Sequence, residues 1–75
     1  MTEEELKKLR KANNDDINYL ISLWEESKTD IQVYFELLVE SETEEDKMFY
    51  KNMHSIEIGK LTRVCRILRH YVNKL

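Results

Sequence analysis

The sequence predicts an all-α fold, a small bundle of three to four helices with a long C-terminal helix. Three observations carry that expectation. Proline is absent and Gly59 is the only glycine, so the residues that turn hairpins and sandwich corners are missing. Apolar residues recur three and four apart over much of the chain, which is the spacing of one helical face. Short polar runs at Thr2, at Asn13 to Asp16, at Thr29 and at Ser41 to Thr43 supply side chains that cap helix starts.

Thr2 precedes Glu3, Glu4 and Glu5, and a glutamate three residues after a threonine is a capping box, so a first helix opens at about Glu3. Leu6 and Leu9 give it a thin apolar stripe. The run Asn13, Asn14, Asp15, Asp16 ends it, because these side chains compete with the helical backbone for hydrogen bonds and make good caps. From Asp16 the positions Ile17, Leu20, Ile21, Leu23 and Trp24 follow one helical face. Thr29, with Gln32 three residues on, reads as another capping signature, followed by a broad apolar surface of Ile31, Tyr34, Phe35, Leu37, Leu38 and Val39. Such breadth implies burial on more than one side. The acidic stretch from Glu40 to Asp46 is expected to be a loop or helix entry, with Ser41 or Thr43 as the cap.

The last helix is expected from about Glu44 to Leu75. Met48, Phe49, Met53, Ile56, Leu61, Val64, Leu68, Tyr71, Val72 and Leu75 take its apolar positions. Leu61, Val64, Leu68, Tyr71 and Leu75 fall on a seam of alternating three- and four-residue steps. Gly59 is a candidate kink or close-crossing point.

Seventy-five residues form a single helical domain, spanning residues 1–75, near the lower limit for a chain that folds alone. A core this small returns little more than the entropy it must offset, and a partner chain would help. No stretch reads as a signal segment or a membrane span, and the single cysteine, Cys65, has no partner for an internal disulfide. An intracellular, soluble chain with no membrane role is expected, in the nucleus if the source is eukaryotic and in the cytoplasm otherwise.

Charge is distributed unevenly. Lys60, Arg63, Arg66, Arg69 and Lys74 give the segment after Ile58 five positive charges and no carboxylate, while the rest carries seven bases against fifteen acids. Such a basic face is what a helix uses on nucleic-acid phosphates. The simpler reading is that cations near a helix C-terminus complement its dipole, or orient a protein partner. No aromatic residue interleaves them in the manner of a base-stacking surface.

Catalytic chemistry finds no foothold. His54, His70 and Cys65 lack the paired spacing of a zinc site, and five residues along one helix put Cys65 and His70 on different faces, so they do not make a nucleophile and base. One glycine cannot form a phosphate loop. The carboxylates cluster at helix starts, where capping explains them. No enzyme, metal or cofactor is expected.

Trp24, Tyr34, Phe35, Phe49 and Tyr71 read first as core and second as interface anchors. Taken together they favour an interface, since a few short helices have difficulty covering them all. The expected partner surface comprises Tyr34, Phe35, Leu38, Ile56, Leu61, Val64, Leu68, Tyr71, Val72 and Leu75.

Two stretches also resemble a known family. The run Asp16, Leu20, Trp24, Lys28, Ile31, Gln32, Val33 is similar to the second-helix region of the helical A domain in GINS DNA-replication complex subunits, with Ile31 where the family has proline. The stretch from Met53 to Val64 resembles that family's long-helix motif, with Glu57, Lys60, Leu61 and Val64 in order. Arg69, Tyr71, Lys74 and Leu75 meet the downstream pattern loosely, after a one-residue gap. The resemblance implies a non-catalytic scaffold subunit of a four-subunit assembly that joins the replicative helicase and links it to polymerases. Family members usually add a β-rich B domain, so an isolated A domain, a reduced relative and an unrelated bundle stand as alternatives.

The function expected is therefore a helical assembly module, binding other GINS-type subunits or copies of itself. A small nucleic-acid-binding regulator using the basic face is the alternative.

Overall fold

The computed structural model describes residues 1–75. It contains three helices and no strand: α1 (Glu3–Lys11), α2 (Asp15–Glu40) and α3 (Glu44–Lys74). Each start is capped as its local chemistry dictates. The Thr2 hydroxyl accepts from the Glu5 N–H at 3.1 Å, and the Thr2 N–H donates to Glu5 Oε1 at 2.9 Å, which completes the capping box. Asn13 turns the chain in the left-handed region, with φ 49°, a conformation asparagine tolerates better than most residues. Asn14 then caps α2, its Oδ1 accepting from the Asp16 and Ile17 N–H groups. Thr43 caps α3 by accepting from the Asp46 N–H at 3.1 Å.

These bonds hold the Glu5 carboxyl below its ordinary value, the Thr2 backbone N–H contributing most and the Thr2 hydroxyl next. Because the folded pKa lies below the unfolded one, the capping box stabilises α1 fully above the ordinary carboxylate range. That contribution disappears as pH falls through the lowered pKa of Glu5. An NMR titration of the Glu5 side chain is expected to give a midpoint below that of a free glutamate; an ordinary midpoint would contradict the capping box.

One expected boundary is absent. Thr29 does not start a helix, because α2 runs unbroken through it, and the Thr29 hydroxyl donates back to the Glu25 carbonyl at 3.1 Å. A threonine inside a helix satisfies itself in this way, and nothing nearby breaks the backbone ladder. Ser41 likewise closes α2 rather than opening α3, its hydroxyl donating to the Leu37 carbonyl at 2.6 Å.

The short turn between α2 and α3 makes them an antiparallel hairpin, and most tertiary contact in the molecule lies between these two helices. At 1.5 Å per residue α3 is about 46 Å long. The longest dimension of the molecule is 48 Å, so α3 spans nearly all of it. It continues through Gly59 without interruption. A Cβ at Gly59 would meet nothing closer than Arg63 Nη1 at 3.6 Å, so no helix crosses closely there. An interior glycine still costs roughly 0.5–1 kcal/mol relative to alanine, and the fold of the single chain does not require it.

The core is Leu9 of α1, Ile17, Ile21 and Trp24 of α2, and Val64 and Leu68 of α3. Met1, Leu6, Leu20, Leu23, Leu61, Cys65, Tyr71 and Val72 pack around it. All of these belong to one end of the hairpin, here called the base, where α1 supplies a third wall. An ion pair between Arg10 and Glu25 ties α1 to α2. Beyond the reach of α1 only two helices remain.

Candidate helix-docking surface

Two packed helices cannot enclose a core as three can, because each retains an apolar flank with nothing against it. The hairpin tip has this character: no residue from Lys28 to Ile56 is buried. Ile31, Tyr34, Leu37 and Leu38 of α2, with Tyr50 and Met53 of α3, are half-buried along the seam between the helices. Val33, Phe35, Val39, Met48, Phe49, Ile56 and Ile58 stand exposed on its flanks, Phe35 at 55% and Phe49 at 56%. Isolated exposed apolar residues are ordinary, but seven of them on one end of a small chain make a candidate binding surface.

Five of these exposed side chains fall on two edges. Phe35, Val39 and Ile58 share one, where the Phe35 and His54 rings lie 6.2 Å apart between centroids. Phe49 and Ile56 of α3 share the other. On this second edge, towards the base, a half-open cleft of about 380 Å³ lies between α2 and α3. Leu20, Leu23, Val64 and Ile67 give it apolar walls, and Glu26, Asp30, Lys60 and Arg63 surround its mouth. Ser27 and Glu57, each 5% exposed, also line it. The Glu57 carboxylate accepts a hydrogen bond from Lys60 Nζ at 3.2 Å. A carboxylate taken out of water needs such a partner, and Lys60 supplies it while remaining half in solvent.

The residues expected to meet a partner thus separate into three groups. Val64 and Leu68 are corrected: they are buried in the chain's own core, because α1 and the first half of α2 close over the seam of α3. Leu61, Tyr71 and Val72 are half-buried against that core, and Tyr34 and Leu38 are half-buried at the tip. Phe35, Ile56 and Leu75 are exposed. Among the aromatic residues Trp24 belongs to the core, with Lys28 Nζ 4.3 Å from its ring centroid.

The five basic residues after Ile58 are all exposed but differ in their surroundings. Lys60 is engaged by Glu57, and Arg63 stands at a cleft mouth that Glu26 and Asp30 share. Arg66, Arg69 and Lys74 are exposed. Cys65 is a free, half-buried thiol beside the core. No group of three or more His, Cys, Asp or Glu side chains is placed to hold a metal ion, and no helix is long and apolar enough to cross a membrane.

The expected partner surface leaves out Val33, Met48, Ile58 and Ile67. Val39 is expected only in the broad apolar surface of α2 and Phe49 only among the aromatic anchors and the apolar positions of α3, and Glu57 is not expected as a buried group. Phe49, Ile56 and Ile67 do share a signal, since intervals of seven and eleven residues repeat one helical face apart from the core seam.

No protein-family model, curated protein or solved structure matches this chain.

Proposed function

We propose that this protein is a non-catalytic assembly module whose two-helix tip docks against helices of a partner chain. One observation carries the reading: Val33, Phe35, Val39, Met48, Phe49, Ile56 and Ile58 find no cover in the chain itself, whereas every buried apolar residue lies at the base, where α1 packs. Burying such side chains is worth about 25 cal/mol per Å² of apolar surface removed from water. A partner helix laid along either edge of the tip supplies the third wall that α1 supplies at the base.

The likeness to the helical A domain of GINS subunits agrees with this role and sharpens it to a scaffold component of a replicative helicase assembly. Its motif positions work together in the fold. Leu20 and Trp24 face the core and Lys28 covers the Trp24 ring. Glu57 holds Lys60, and Leu61 and Val64 pack at the base.

The test is capture of partners from the native host with the intact chain and with a Phe35→Glu, Val39→Glu variant of unchanged helical content. Specific chains retained by the first and lost by the second are expected, and replication proteins among them would support the sharper reading. The same chains retained by both would overturn docking on that edge of the tip.

A further inference from the structure

Along the outer edge of α3, Glu45, Phe49, Asn52, Ile56, Gly59 and Arg63 succeed one another by alternating steps of four and three. That alternation forms a straight stripe on a helix, the geometry through which two helices pack side by side. None of the six is buried. The pattern of steps also reads the same in both directions, so an antiparallel copy places stripe residues opposite stripe residues throughout.

We infer that this stripe is the contact between two copies of the chain, paired antiparallel about a two-fold axis level with His54. The inference rests on the assembly reading and names one partner for it. In this register Glu45 faces Arg63 of the second copy, Phe49 faces its Gly59, and Asn52 faces its Ile56, each pairing occurring twice. Three observations favour a second copy over an unrelated helix. Arg63 has no ion-pair partner within its own chain, and the register gives it a carboxylate. Phe49 is the largest side chain on the stripe and stands 56% exposed, and it meets the one residue with no side chain. Gly59, which the single chain does not need, leaves room for the ring once the Arg63 guanidinium, 3.6 Å from where a Cβ would stand, swings out towards Glu45 of the second copy.

The direction follows from charge. A parallel, in-register pair would set Glu45 against Glu45 and Arg63 against Arg63, and like charges directly opposed are unfavourable. The antiparallel pair converts both repulsions into attractions. It also brings the acidic tip of each copy beside the basic half of the other's α3, where the sequence carries no carboxylate after Ile58. The overlap from Glu45 to Arg63 is about 27 Å at 1.5 Å per residue. Phe35, Val39 and Ile58 lie on the other edge and stay free for a different partner.

Sedimentation of the full chain over a micromolar to sub-millimolar series tests this, with circular dichroism to check that each variant keeps its helices. Wild type is expected to reach the mass of two chains. Phe49→Ala and Gly59→Leu should each raise the concentration at half-dimer by about tenfold or more, as losing an aromatic anchor does. The swap of Phe49→Ala with Gly59→Phe should recover the dimer. Glu45→Arg should weaken association, and adding Arg63→Glu should restore it. A monomer at every concentration overturns the second copy. A dimer indifferent to Phe49 and Gly59, or one whose charge reversal is not rescued, overturns the stripe and its register. A monomer that still captures other chains through Phe35 and Val39 refutes this inference alone and leaves the assembly reading standing.

Discussion

Leu68→Ala is expected to cost about 2–5 kcal/mol, the range for removing a fully buried leucine and leaving a cavity. Leu68 has no exposed surface and sits where all three helices meet, so neighbouring side chains cannot easily move into the space. A chain of this length has a total stability of roughly 4–11 kcal/mol at 0.05–0.15 kcal/mol per residue. The loss would therefore consume a large share of what holds the protein folded. Urea unfolding followed by circular dichroism checks it at a concentration where the chain is monomeric. Ile56→Ala, at a position 52% exposed on the tip, provides the contrast. Its expected effect on the monomer is within about 0.5 kcal/mol, the range of ordinary surface substitutions. Equal losses at the two positions would mean that the tip is as well sealed as the base, and the docking surface would no longer follow.

That contrast also marks where the sequence was legible. The class of fold followed from the missing proline, the single glycine and the apolar periodicity, and the helix starts at Thr2, within the run Asn13 to Asp16, and at Ser41 or Thr43 followed from side chains that bond free amides. Thr29 misled because the same hydroxyl chemistry serves a helix interior when the residue before it is already helical. The seam of Leu61, Val64 and Leu68 was visible as a stripe, but a stripe has no label saying whether its cover comes from the same chain. Only the placement of α1 decides that. Where α1 reaches, the seam is core, and where it does not, Phe35, Phe49 and Ile56 remain outside. Leu9, one of the two most completely buried residues, comes from a nine-residue helix with only a thin apolar stripe. Gly59, a candidate kink or close-crossing point, is neither within the single chain: α3 passes through it unbroken, and only the Arg63 side chain approaches it.

Lys60→Ala and Glu57→Leu are expected to act in opposite directions although they break the same pair. Glu57 reads as a surface residue from its type, yet its side chain is 6% exposed and its partner is Lys60, itself 53% exposed. Removing Lys60 leaves a buried carboxylate with its hydrogen bond unmade, a loss of about 1–3 kcal/mol; the lower half of that range applies if water follows the lysine into the cleft. Removing the carboxylate instead takes the desolvated charge away altogether. A leucine at position 57 would face Leu20, Leu23 and Val64, which line the same cleft, and release Lys60 to solvent. Exchanging a buried ion pair for apolar packing is often neutral or stabilising, so Glu57→Leu should unfold at the same urea concentration as the wild type or a higher one. Urea midpoints for the two variants and for the combination decide the matter. If Glu57→Leu proves as damaging as Lys60→Ala, the carboxylate is contributing net stability to the cleft. If both are silent, water already fills the space and Glu57 is buried in area only. The expected asymmetry would make Glu57 a group the isolated fold does not require, in a cleft bordering the stripe that carries Gly59, and the two oddities of α3 would then lie on the edge where a second copy is inferred to pack.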